Sequence, residues 1–394
     1  MDIINTRSHL QKFDFLRGAA ILLVLTVHAW VGMFYPFQFL KYKGFWLDYK
    51  AHTARELFTN FFPFAFGWTG VELFLIISGF LIHYGYMNSK KFNFLLYFNK
   101  RFWRIYPPYL FALLFFAFET GLNTTMKDFF YHIFLIHNFD EQTISGINSS
   151  FWSLALEFQL YLIYPLFLYT RKKMGMGKSV IIIAAISLIL SILRIIYNFE
   201  SLAYQTSVFR LWIVWVMGAF LAEKYVKGQR LANLKCYHLI LILLFLISLS
   251  FTILYKYFSA FYFTIFYILF IDWFINRESD IRNVILKKLY AFVVFAGLCS
   301  YSLYLIHKPL LDNLLRYFNF MNLRRIWSPF KSIDVVIIFF VLGLLSHSLY
   351  TFIELPSIRF GKYFYKRFLM KTDIRSPKVM GILKEGIVEI TNTK

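Results

Sequence analysis

Phe13-Asp14-Phe15-Leu16-Arg17-Gly18-Ala19-Ala20-Ile21-Leu22-Leu23-Val24-Leu25-Thr26-Val27-His28 is an aliphatic run with an arginine near its start and a histidine near its end. Extended to Phe34, it is long enough to cross a bilayer as a single helix. Runs of this kind recur along the 394 residues. They lie at about Asp14–Phe34, Gly67–Tyr86, Arg101–Glu119, Phe151–Thr170, Lys178–Tyr197, Ser207–Ala222, Tyr237–Tyr255, Ser259–Trp273, Tyr290–Leu311 and Ile333–Phe352. The expectation is an all-α, polytopic membrane protein of about ten transmembrane helices. The first run has no small-residue cleavage site and leads into further spans, so it reads as a retained helix and not a signal peptide.

Composition agrees. The chain is 59% hydrophobic and 16% charged, against roughly 45–50% and 25% in soluble domains. The net charge of +21 orients the chain. If the N-terminus is inside, inner segments hold 28 Lys and Arg and outer loops about ten. That bias places both termini in the cytoplasm and meets anionic lipid; it is not a nucleic-acid footprint. Cys236 and Cys299 have no metal-ligand spacing, so neither a metal nor a disulfide framework is expected. The longest stretches outside spans are Tyr35–Phe66, Thr120–Ser150 and the tail from Glu354, with an interfacial helix expected around Ile358–Met370. The chain reads as one membrane domain, 1–364, followed by a basic cytoplasmic tail, 365–394.

Ionisable groups inside a bilayer are costly and face a protein interior or a wet cavity. Arg17 and His28 are eleven residues apart, close to three helical turns, so they share a face about 16 Å apart along the axis. Glu72, Glu157 and His307 fall at a depth similar to that of His28 in their own spans, as a shared cavity requires. Arg101 and Arg104, three apart and neighbours on a helix, lie at the level of Arg17. Three guanidiniums there suit phosphates better than a carbohydrate. Ser153, Glu157 and Tyr161, each four apart, form a polar stripe on the fourth span. Taken singly, the arginines also read as snorkelling anchors, Arg101 and Arg104 more readily than Arg17, and His307 as a packing residue, while Lys308 and Arg210 read as outer-end anchors.

Taken together, these residues resemble the acyltransferase family 3, integral-membrane O-acyltransferases of surface glycans. In that family an arginine and a histidine stand ten intervening residues apart on the opening helix, as Arg17 and His28 do. Gly70-Val71-Glu72-Leu73-Phe74-Leu75-Ile76-Ile77-Ser78-Gly79-Phe80 is similar to its second-helix signature, and Arg101-Phe102-Trp103-Arg104 to its paired-arginine motif. Phe151-Trp152-Ser153-Leu154-Ala155-Leu156-Glu157 resembles its fourth motif, and Ser300-Tyr301-Ser302-Leu303-Tyr304-Leu305-Ile306-His307 its late one. The chain departs at Glu72, where Asp is common, at Phe158, where a second acid is frequent, and at Ile306 and Lys308, where aromatics are usual. The resemblance runs from Phe13 to about Phe364, without the fused extracytoplasmic hydrolase-like domain of some members.

The resemblance implies an acyltransferase of the cell (cytoplasmic, inner) membrane. It would move an acyl group, usually acetyl, from cytoplasmic acyl-CoA to a sugar hydroxyl of a polysaccharide, O-antigen or lipid-linked glycan. Acyl-CoA (acetyl-CoA) is then a co-substrate, with no permanently bound cofactor. Arg17, Arg101 and Arg104 would take the donor's phosphates. His28 would be general base or transient acyl carrier, with Glu72 or Glu157 orienting it. Ser153, Tyr161 and His307 would bind acceptor or complete the cavity. A glycan or lipid transporter, or flippase, is the rival reading, since buried charges also line transport pathways; a non-catalytic assembly protein is another.

Overall fold

The computed structural model describes residues 3–34, 63–89, 92–120, 125–199, 201–249, 255–277, 281–321 and 329–370. The expected loop at 35–66 and tail at 365–394 therefore fall largely outside the described residues. Every regular element described is helical. The first half comprises α1 (Ile3–Phe34), a 3-10 turn (Pro63–Thr69), α2 (Gly70–Met87), α3 (Phe94–Thr120), α4 (Met126–Ile133), α5 (Trp152–Met174) and α6 (Met176–Ile196). The second comprises α7 (Val208–Val226), α8 (Cys236–Leu249), α9 (Tyr255–Ile275), α10 (Val284–Leu298), α11 (Ser300–Met321), α12 (Pro329–Leu349), a π turn (Tyr350–Glu354) and α13 (Leu355–Phe364).

By length and composition, five stretches among the described residues can cross a membrane: Phe66–Met87, Met176–Ile196, Leu202–Val226, Tyr257–Ile275 and Ile333–Leu369. The ten spans expected from sequence are not all reproduced as such. The seventh run yields only the 14-residue α8. α3 carries Asn99, Lys100, Arg101 and Arg104 within its length, which dilutes its apolar character. The ninth, expected as one rod over Tyr290–Leu311, is two helices, α10 and α11, bent by 81°. The last run continues helically past the expected boundary at 364, through α13 and a second π turn, Tyr365–Leu369. Pro356 has no N–H for the carbonyl four residues back, and the ladder ahead of it widens into the first π turn.

Two glycine crossings hold the helices that carry the polar residues. A Cβ on Gly18 would stand 1.8 Å from the Val293 carbonyl oxygen, and one on Gly297 would stand 1.7 Å from that of Asp14. α1 and α10 therefore touch backbone to backbone immediately beside Arg17. A Cβ on Gly79 of α2 would meet the Trp215 carbonyl of α7 at 2.0 Å, and one on Gly218 would meet that of Ile76 at 2.0 Å. Such close approach is how helices associate where apolar surface alone gives no drive. At the foot of α1, Lys12 Nζ donates to the carbonyls of Ile275 (3.0 Å) and Arg277 (2.8 Å), satisfying the open C-terminal end of α9.

Between α3 and α5 the chain is pinned by buried histidines. The His132 and His137 rings stack with centroids 3.8 Å apart and planes 4° from parallel. His132 Nδ1 also lies 3.0 Å from Asp128 Oδ1.

Candidate active site

α1 carries Arg17 one turn above Asp14, and the guanidinium donates to the carboxylate at 3.1 Å. α3 carries Arg101 and Arg104. Arg101 lies over the rings of Tyr97 (5.9 Å) and Tyr161 (5.7 Å), and its buried Nε–H has no hydrogen-bond acceptor. A buried donor left without an acceptor is uncommon and calls for a ligand or a functional reason. α13 fixes this part of α3 from outside. Asn99 Nδ2 donates to the Gly361 carbonyl at 2.9 Å, and Trp103 packs on Phe360 with centroids 4.7 Å apart. Gly361 is required there because a Cβ would come within 2.5 Å of the Trp103 side chain.

α5 presents the expected stripe. The Tyr161 hydroxyl donates to the Glu157 carboxylate and lies 3.1 Å from Ser78 Oγ on α2. Ser153 Oγ lies 2.5 Å from the Tyr304 hydroxyl on α11. Arg17, Arg101, Arg104, Ser153, Glu157 and Tyr161 all line one cavity, together with Ser78, Ser300, Tyr301 and Tyr304. The cavity has a volume of about 90 Å³, room for a small cluster of waters at about 30 Å³ each. Of the outer layer only Glu157 joins the three arginines in this cavity, beside Ser153 and Tyr161 of the same stripe.

The remaining site residues lie outside that lining. His28 pairs with His307, their ring centroids 5.2 Å apart. His307 is fully buried, and its Nδ1–H donates to the Tyr304 carbonyl at 2.8 Å. Tyr304 thus connects the pair to the cavity. Glu72, buried in the first turn of α2, has Arg210 of α7 as its charged neighbour, and one carboxylate oxygen has no hydrogen-bond partner. The single chamber expected for His28, Glu72, Glu157 and His307 is corrected to three settings. The bend at Cys299 removes the straight-rod geometry from which the depth of His307 was read, and α2 packs Glu72 toward α7.

Arg210 and Lys308, expected as outer-end anchors, are both buried. Arg210 donates to the carbonyls of Gln205 (2.6 Å) and Tyr257 (3.1 Å), and Lys308 pairs with Asp312 one turn on. Sequence reasoning missed four contributors: Asp14, Ser78, Tyr304 and Glu354. Glu354 is 2% exposed, accepts from Ser302 Oγ at 2.6 Å, and lies within electrostatic range of Arg104 and Arg17. Its signal was an acid placed directly behind a long apolar run. Asp14 was readable as the i,i+3 partner of Arg17. Among the described residues no group of three His, Cys, Asp or Glu side chains is arranged to hold a metal ion.

Residues 10–351 match the family described as "Acyltransferase domain". Among curated proteins, the chain is similar to O-acetyltransferase OatA of Staphylococcus aureus strains NCTC 8325 / PS 47 and COL. Identity is 25% over 326 residues, covering 74% of this chain and 52% of each relative. The chain thus spans about half the length of the curated relatives it matches. No solved structure matches it.

Proposed function

This chain belongs to the acyltransferase domain family, and from that membership we propose that it is a membrane O-acyltransferase acting on a surface glycan. The donor is acyl-CoA, most simply acetyl-CoA, presented from the cytoplasm, where the positive-inside bias puts both termini. The acceptor is a sugar hydroxyl of a cell-surface polysaccharide or lipid-linked glycan. One observation carries the reading: Arg17, Arg101 and Arg104 open on the same cavity as Ser153, Glu157 and Tyr161. Guanidiniums suit phosphate oxygens. The printed name of the staphylococcal relatives, O-acetyltransferase, points the same way.

The donor's phosphates dock on the arginines, and its thioester reaches toward Ser153 and Tyr304. His28 takes the proton from the acceptor hydroxyl. The acceptor oxygen bonds to the acyl carbon, the carbon–sulfur bond breaks, and the thiolate leaves with the proton from His28. Glu157, tied to Tyr161, holds the polar wall against which the donor lies.

The test is mass spectrometry of surface glycans from cells carrying the wild type, His28→Ala or no protein. The acyl mass is expected only with the wild type, while the variant is expressed and inserted normally. Retained acylation in His28→Ala overturns the assignment of His28. Equal acylation with and without the protein overturns the function.

A further inference from the structure

Among the described residues, Pro107 and Pro108 of α3, Pro165 of α5 and Pro309 of α11 lie inside helices. A proline has no N–H, so the carbonyl four residues before it loses its partner in the ladder. Inside a membrane no water replaces that partner, and the carbonyl needs a donor from its surroundings. For three of the four prolines the donor is a side chain from another segment. Pro165 releases the Tyr161 carbonyl, which accepts from the Tyr97 hydroxyl of α3 at 3.0 Å. Pro309 releases the Leu305 carbonyl, which accepts from Asn148 Nδ2, just ahead of α5, at 3.1 Å. Pro107 releases the Trp103 carbonyl, which accepts from Ser357 Oγ of α13.

We infer that Tyr97, Asn148 and Ser357 are positioning residues, each fastening one helix of the arginine-lined cavity to a neighbour through a carbonyl that a proline has released. The inference rests on the acyltransferase reading above and assigns residues that neither the sequence motifs nor the cavity lining single out. All three released carbonyls lie at the site. Tyr161 lines the cavity, Leu305 follows Tyr304, which also lines it, and Trp103 stands between Arg101 and Arg104.

The Asn148 fastener shows how the position of α11 is set. Asn148 and Leu305 are buried, so a carbonyl left without a donor there would be costly. Asn148 Oδ1 accepts from the Ser150 N–H at 3.0 Å and from Ser150 Oγ at 2.7 Å. The Ser150 carbonyl in turn accepts from the Tyr304 hydroxyl at 3.2 Å. Residues 148–150 therefore grip α11 at two successive positions, Tyr304 and Leu305, and a rotation of α11 would break both contacts. Tyr97 works from the other side of α5: its ring lies beneath Arg101 while its hydroxyl holds the Tyr161 carbonyl. It thus sets the polar stripe of α5 against the guanidiniums of α3.

The experiment uses the full chain. Transfer is measured in membrane vesicles with acetyl-CoA and glycan purified from the surface of cells lacking the protein, and unfolding is measured in detergent. Replacing a proline by alanine returns an N–H to the released carbonyl, so each fastener should matter only while its proline is present. Asn148→Ala is expected to lower kcat about tenfold, with KM for acetyl-CoA within about twofold of wild type, because the arginines sit on α1 and α3. On a Pro309→Ala background the same change is expected to cost about twofold or less. Tyr97→Phe, paired with Pro165→Ala, is expected to follow the same pattern in kcat. Ser357→Ala, paired with Pro107→Ala, is expected to show instead as a rise of about threefold in KM for acetyl-CoA, since Trp103 lies between two arginines. Melting temperatures of the same variants read the pairing without turnover, and loss of a fastener is expected to lower them more with proline than with alanine. Equal losses on both backgrounds overturn the inference, since the contact then has nothing to do with the proline. Coupled melting with unchanged kinetics also overturns it, because the contacts then hold the fold and not the site. Should Asn148→Ala fail to fold, Tyr97→Phe, which removes a single oxygen, decides by the same criteria. Wild-type vesicles that transfer nothing while melting remains coupled fault the acyltransferase reading and not the fasteners.

Discussion

The Tyr304 hydroxyl stands 2.5 Å from Ser153 Oγ, while the carbonyl of the same Tyr304 holds His307 Nδ1–H at 2.8 Å. One residue therefore links the arginine-lined cavity to the histidine pair. Substituting Tyr304→Phe keeps the ring and the carbonyl and removes only the hydroxyl. The hydroxyl also donates to the Ser150 carbonyl at 3.2 Å, and at about 0.5–1.5 kcal/mol per neutral hydrogen bond transfer is expected to fall by roughly fivefold or more. Ser153→Ala is expected to add little on top of it. Kinetics of both single variants and the double check this, and fully additive losses would show that the contact couples nothing.

If the arginines hold the donor's phosphates as proposed, donor affinity is expected to depend on guanidinium geometry and not on charge alone. Arg101→Lys and Arg104→Lys keep the charge but lose the planar fork that meets phosphate oxygens in pairs. Each is expected to raise KM for acetyl-CoA about tenfold or more, with kcat changed much less, because charge-assisted hydrogen bonds are worth about 1.5–3 kcal/mol. Initial rates across donor concentrations decide the matter; an unchanged KM would assign these arginines to lipid anchoring.

The α2–α7 crossing tolerates no side chain at Gly79 or Gly218, where an added Cβ meets carbonyl oxygens at 2.0 Å. Gly79→Val is expected to push the helices apart at a cost of about 1–3 kcal/mol or more and to lower the melting temperature in detergent. Since Ser78 adjoins this contact and reaches Tyr161, activity is expected to drop with it. Gly177→Ala is the control, because nothing lies within 4 Å of a Cβ there. Thermal unfolding of the two variants side by side measures the difference.

The connection between α3 and α5 has a built-in response to acid. Burial first, and then the stacked His132 ring, hold the His137 imidazole well below its usual value. A depressed value means the folded state favours neutral His137. Its contribution is therefore complete above the ordinary imidazole value of about 6.5 and is lost as pH falls from there toward the folded value. Amide hydrogen exchange over Met126–Phe139, corrected for intrinsic rate, is expected to be faster at pH 5 than at pH 7.5. His137→Gln is expected to flatten that difference; exchange that ignores pH in the wild type refutes the effect.

Helical content, the paired arginines and the stripe on α5 were legible in the sequence because each depends on local spacing: residues three or four apart share a face whatever surrounds them. The meeting of Arg17 with Arg101 was harder to read, since it requires α1 and α3 to converge. The shared chamber failed for a physical reason. Depth was counted along straight rods, and the bend between α10 and α11 and the packing of Glu72 toward Arg210 are tertiary facts that periodicity does not carry. Buried Arg210 looked like an anchor because a sequence shows a charge near a helix end but not the backbone carbonyls waiting for it, whereas the i,i+4 partner of Lys308, Asp312, was readable from spacing. Glu354 was missed because its partners, Ser302 and Arg104, lie about 50 and 250 residues away in the chain.

The 81° bend at Cys299 also alters the electrical character of the cavity. Three guanidiniums, Arg17, Arg101 and Arg104, are met by three carboxylates, Asp14, Glu157 and Glu354, so their formal charges cancel. A straight span would bury Ser300 mid-ladder, whereas the bend makes it the first residue of α11 and turns it to the cavity wall. The leading N–H groups of a helix lack partners in their own ladder and carry about half a positive charge between them. On the proposed reading, part of the pull on the donor's phosphates comes from these fixed dipoles, although the Ser302 N–H is already taken by Glu354, and donor affinity is expected to change only gently with ionic strength.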